Sequence, residues 1–207
     1  MKDAQTLPDD LICPAGDIFD ETAVEARIKE THTREGSDDA ALRRATVAIL
    51  KEEIARGRSA IAEALAQQPF AARAAAHSYT WLTDCAVLTA LRVASTALHP
   101  LPNPTESERI AVFAVGGYGR GEMAPFSDVD LLFLTPYKIT PWAESVIEST
   151  LYILWDLKLK VGHASRTIRD CLRLGAEDFT IRTALLENRF LYGDAPLAEQ
   201  LHARLHK

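Results

Sequence analysis

Cysteine is scarce in this sequence. Cys13, Cys85 and Cys171 are the only three, they lie far apart, and no Cys-x-x-Cys pair occurs. Such an odd, scattered set excludes a disulfide framework and a thiolate zinc site, and reads as free thiols in a reducing cytoplasm. Long apolar runs are also missing: no stretch approaches the roughly 18 residues of a membrane-spanning helix. The segment from Met1 to Asp10 lacks the basic-then-apolar pattern of a secretory signal. Positive charge is in short supply too, with 23 Lys+Arg against 29 Asp+Glu and a net charge of −6. A protein that grips nucleic acid normally carries a basic face, and the few basic clusters (Arg43-Arg44, Lys158 and Lys160) do not amount to one. Nucleic acid and membrane are therefore not expected as partners. A protein or small-molecule acceptor is.

What is present is a 207-residue chain, 47% hydrophobic and 25% charged, which suits one packed domain with a helical attachment. Residues 1–39 are poor in periodicity. They read as a mobile N-terminal segment with a short helix at 23–30 and a polar linker at 31–39. Asp38-Asp39 can cap a helix from Ala40 to Gln68 that Gly57 divides and Pro69 ends. Trp81, Cys85, Leu88, Leu91, Ser95 and Leu98 recur at steps of three and four, one face of a second helix over 75–98. The prolines from Pro100 to Pro104 then separate this helical region, residues 40–104, from an α/β part, residues 105–207. There, strands are expected at 110–115, 128–134 and 159–165. Helices are expected at 142–155, with Pro141 at its start, at 168–174 and at 178–191. The fold class is α/β (α+β), a small mixed sheet carrying the site beside a mostly helical N-terminal part.

The chemistry concentrates between Ala111 and Leu134. Asp128 and Asp130 are two apart, so on a strand they project from one face, roughly 6–7 Å from each other. Val129, Leu131 and Phe133 then face the core. Paired carboxylates at the head of an apolar strand need a partner, and a hard cation such as Mg²⁺ or Mn²⁺ is a natural one. Gly116 and Gly117 follow a strand directly, where the missing side chains let backbone amides approach phosphate oxygens. Arg120 offers them a fixed positive charge, and Ser127 a hydroxyl. A strand, two glycines, a short loop and Asp-x-Asp on a second strand together place a phosphate cradle beside a metal site. Two metal ions about 4 Å apart can clamp an in-line displacement at phosphorus. Asp156 is the candidate third carboxylate, as metal ligand, although it falls at a helix end.

Blander readings compete. Arg120 and Glu122 also make sense as an exposed ion pair worth little, and Ser127 as a strand start. His163 reads as a half-buried structural histidine, and Arg166 as facing either phosphate or solvent. His202 and His206, four apart near the chain end, read as a solvated face.

The run Gly116-Gly-Tyr-Gly-Arg-Gly-Glu-Met-Ala-Pro-Phe-Ser-Asp-Val-Asp-Leu-Leu-Phe-Leu134 resembles the bacterial PII uridylyltransferase/uridylyl-removing enzymes. These belong to the polymerase-β-like nucleotidyltransferase superfamily, whose pattern is Gly-Gly or Gly-Ser, a spacer, then Asp-x-Asp. Leu154 to Thr167, Thr183 to Arg189 with Gly193-Asp194, and the helical stretch from Leu50 through Thr83-Asp84 are similar as well, so the likeness covers about residues 45–207. The resemblance implies a polymerase-β-like fold, UTP and Mg²⁺ as substrate and cofactor, and transfer of UMP to a tyrosine hydroxyl of the PII signalling protein. An adenylyltransferase acting on glutamine synthetase or another protein stays open, as does a nucleotide-binding module without catalysis. The family also carries an HD-type hydrolase domain and glutamine-sensing ACT domains. None of the six histidines here is followed by aspartate, so uridylyl removal and the glutamine response are not expected of these 207 residues.

Overall fold

The computed structural model describes residues 2–3, 10–35, 38–103 and 105–205. Helices α1 (Ala15–Ile18) and α2 (Glu21–Glu35) open the described chain after the two-residue strand β1 (Lys2–Asp3). Helix α2 runs past the short helix expected at 23–30 and into the stretch expected to be a linker. Its reason is burial: Val24, Ile28 and Thr31, at steps of four and three, turn away from solvent onto the next helix. That helix, α3 (Asp39–Gln67), starts where the Asp38 carboxylate accepts from the Ala41 amide at 2.9 Å. Gly57 does not divide it. A side chain there would overlap the Ile18 carbonyl and press on Leu82, so the glycine serves close helix packing instead.

Helix α4 (Ala72–Arg92) passes into a π-helical turn, Val93–Leu98, that carries it to the prolines. Strand β2 (Ala111–Ala114) leads into the single turn α5 (Gly116–Gly119), followed by strand β3 (Val129–Thr135). Helix α6 (Pro141–Asp156) has proline in its first turn and a Thr140 hydroxyl cap on the Ala143 amide. It is the crossover to β4 (Val161–Thr167), which runs parallel to β3.

Helices α7 (Ile168–Glu177) and α8 (Phe179–Leu186) follow. The single helix expected over 178–191 ends at Leu186. Strand β5 (Arg189–Gly193) takes the rest, and α9 (Ala195–Leu205) comes after it. Gly193 explains the change. At φ 103°, with no room for a Cβ against the Ile110 carbonyl, it lets β5 lie antiparallel on β2.

The sheet order is β1-β5-β2-β3-β4, antiparallel except for β3–β4. This is the mixed sheet the sequence predicts. Alternation along β3 sends Val129, Leu131 and Phe133 into one core, shared with the N-terminal helices. Leu132 and Leu134 enter a second core under α7, α8 and α9.

Candidate active site

The site forms where the loop after β2 meets the beginning of β3. The Val115 amide donates to the Asp130 carbonyl at 3.0 Å, which fixes the root of the loop to β3. Gly116, at φ 57°, then turns the chain out of the strand and into α5. A Cβ on Gly116 would lie 3.8 Å from Asp130 Oδ2. On the other side, Asp130 is in register with Gly162 of β4, and a Cβ on Gly162 would overlap Asp130 Oδ1. The Asp130 carboxylate therefore sits between two glycines, half-buried, while Asp128 is exposed one residue ahead of the strand. Gly162 is a site residue that sequence reasoning missed. Its signal was a lone glycine inside a strand pattern, which marks a close approach.

Burial raises the Asp130 carboxyl above the ordinary carboxylate range, and the negative charge of Asp128 raises it further. The two acids thus feel one another. A pair of mutually repelling, oxygen-only donors, one of them partly desolvated, is a donor set that suits a hard divalent cation. Asp156 ends α6 and is exposed. Among the described residues no group of three His, Cys, Asp or Glu side chains is placed to hold a metal ion. On β4, the residues facing the same way as Asp130 are Gly162, Ala164 and Arg166, none of them a carboxylate.

Behind the loop lies a buried polar cluster that was not expected. The Tyr118 hydroxyl donates to Asp84 Oδ1 at 2.6 Å, and Arg189 donates to both Asp84 oxygens at 2.7 and 3.0 Å. The same guanidinium lies 5.5 Å from the centre of the Tyr118 ring and reaches the Tyr118 carbonyl at 3.4 Å. Burial, then the Asp84 charge, push the Tyr118 phenol well above its usual value, so it stays protonated and donating. Helix α4, the glycine turn and β5 are joined through this one carboxylate. An aspartate within the apolar run of α4 was the available signal.

Arg120 approaches the glycines, with Nη2 3.6 Å from where a Gly117 Cβ would be, and is paired to Glu187 at 2.6 Å. Ser127 accepts from the Ala124 amide at 3.1 Å and so closes the turn before β3. His163 is exposed rather than half-buried, edge-on to Trp155 at 6.3 Å. Gly116, Asp130, Gly162, Arg166 and Thr180 line a cleft of about 390 Å³ between the sheet and α8, a volume within the range of small-ligand sites. No helix of the described residues is long and apolar enough to cross a membrane.

Comparisons with known proteins place the chain among nucleotidyltransferases by sequence. Residues 103–172 fit the family model described as a nucleotidyltransferase domain. Over 188 residues, 91% of the chain, the sequence is 68% identical to a bifunctional uridylyltransferase/uridylyl-removing enzyme of Ruegeria pomeroyi, 21% of whose length is covered. Proteins of the same description from Cereibacter sphaeroides and Caulobacter vibrioides are 58% and 49% identical over 94% and 90% of the chain, with 21% and 20% of their own length covered. The chain thus spans about a fifth of the length of the curated relatives it matches.

Proposed function

We propose that this chain, matched in part by a nucleotidyltransferase domain model and over most of its length by uridylyltransferase enzymes, transfers UMP from UTP to a tyrosine hydroxyl of the PII nitrogen-signalling protein, releasing pyrophosphate. The observation that carries this reading is the Asp130 carboxylate, held between Gly116 and Gly162 and repelled by Asp128. Asp128 and Asp130 would hold Mg²⁺ or Mn²⁺. Bound there, the cation would neutralise charge on the triphosphate and help the acceptor hydroxyl lose its proton. Gly116 and Gly117 leave room for phosphate oxygens against the backbone. Arg120 adds positive charge once a phosphate competes with Glu187 for it. The cleft under α8 excludes water on one side and orients the nucleotide, so catalysis is mainly positioning and charge neutralisation.

Incubating the chain with PII, Mg²⁺ and UTP, followed by mass spectrometry of PII, tests the proposal. The expected product is PII carrying one UMP on a tyrosine. With Asp128→Asn and Asp130→Asn combined, the adduct should fall at least about 10³-fold, the scale of losing electrostatic stabilisation of a transition state. Transfer by that double variant at the parent rate would remove the metal assignment. A rise in melting temperature with ATP and none with UTP would redirect the reading to adenylyl transfer. A second reading, a nucleotide-binding module without catalysis, is favoured by Gly162 and Ala164 standing where β4 would offer a third carboxylate beside Asp130. Binding of UTP without pyrophosphate release in the presence of PII would establish it.

A further inference from the structure

The start of β3 separates two pockets. Asp130, Gly116 and Thr180 line the cleft under α8, whereas Val129 lines a second pocket with Arg58, Phe126, Lys158 and Lys160, and no residue lines both. The second pocket has four unusual properties. Its lining includes three cations and no carboxylate, in a chain of net charge −6. None of those cations is in an ion pair among the described residues. Phe126 is 72% exposed, and the Arg58 guanidinium lies 4.7 Å from its ring centre. Finally, Phe126 and Lys158 both hold left-handed backbone, at φ 63° and 62°, which side chains other than glycine adopt rarely. Strain of this kind concentrates at binding and catalytic sites, and Phe126 stands two residues ahead of Asp128.

In-line transfer puts the entering and leaving oxygens on opposite sides of phosphorus. With the nucleotide in the cleft under α8, the acceptor must reach the carboxylates from another direction, and this pocket opens at the start of β3, lined by Ser127 and Val129 on either side of Asp128. We propose that it docks an acidic segment of the protein acceptor. Acceptor carboxylates pair with Arg58, Lys158 and Lys160, and an acceptor aromatic ring packs on Phe126. This rests on the transfer reading above. Single-stranded RNA offers rings and negative charge too, but the overall acidity of the chain disfavours it.

Fluorescence anisotropy tests the docking surface without requiring transfer. The probes are a labelled peptide with tyrosine between Asp and Glu residues, the same peptide with lysines in their place, and an oligo(U) RNA. The acidic peptide should bind, and should weaken as salt rises. Lys160→Glu should weaken it about tenfold or more. Lys158→Gly should weaken it less, on a backbone that already favours glycine. The thermal shift given by UTP and Mg²⁺ should match the parent in both variants. Equal binding of the lysine peptide, tighter binding of the RNA, or loss of the UTP shift in Lys160→Glu would overturn the assignment. Acidic-peptide binding with no UMP reaching PII would sink the transfer reading and leave the docking surface standing. Undiminished transfer to PII by Lys160→Glu would do the reverse.

Discussion

At Gly162 the sheet has room for a carboxylate only because β4 carries no side chain there. A methyl group would overlap Asp130 Oδ1. The Asp130 side chain is short and its backbone is held by the ladder to β4 and the Val115 amide, so it would have to rotate away. Displacing a reacting-site group by about an ångström can reduce turnover about 10²-fold. Under the proposed transfer reading, Gly162→Ala is therefore expected to cut UMP transfer by roughly that factor and to weaken Mg²⁺ binding. Stability should hold, because alanine within a strand is favoured over glycine by roughly 0.5–1 kcal/mol. Transfer rates and melting curves of the variant check both halves. Parent-like transfer would mean that the Asp130 position is not needed for the reaction.

Among the elements, α5 depends most on its neighbours. A four-residue turn has little stability of its own, and Tyr118 fixes it by joining Asp84 of α4 and Arg189 of β5. Tyr118→Phe keeps the ring packing and loses one hydrogen bond, about 1 kcal/mol. Asp84→Ala takes the countercharge from Arg189, whose side chain is only 33% exposed, against 9% for Asp84, so the low end of a broken buried ion pair applies, about 3 kcal/mol. Urea unfolding should show that order. Equal, small losses would mean that Arg189 finds water instead of missing Asp84.

This arrangement also shows what was legible in the sequence. Asp128, Asp130, Gly116 and Gly117 are close along the chain, so local spacing alone was enough to single them out, and the structure sets Gly116 beside Asp130. The partners of Tyr118 lie 34 and 71 residues away, and nothing in local spacing encodes them. Strand β5 was missed for a related reason. Residues 189–192 read equally well as helix, and only pairing with β2, permitted by Gly193, decides for a strand. Helix α2 was under-read because its apolar residues are few, and each matters only once α3 is there to cover it.

Across the whole molecule, the proline-rich turn looks like a boundary in the sequence, yet one apolar core crosses it. That core takes in Ile18 and Val24 of the first helices, Leu50, Trp81 and Leu88 of α3 and α4, and Val112, Phe133, Leu154 and Tyr192 from the sheet and α6. The Asp84–Arg189 pair and a 2.8 Å hydrogen bond between Ser95 and Tyr192 cross the same line. Separating the helical region from the sheet would expose apolar surface on both, at roughly 25 cal/mol per Å². The two are thus expected to unfold together. In a variant with Trp142→Phe and Trp155→Phe, the remaining Trp81 reports on α4 alone, while far-UV circular dichroism reports on every helix. Coincident urea midpoints are the expected result for a single cooperative unit. A Trp81 transition at clearly lower urea would show instead that the helical region melts off a sheet able to stand by itself, and would turn the proline turn from a bend within one core into a boundary between two.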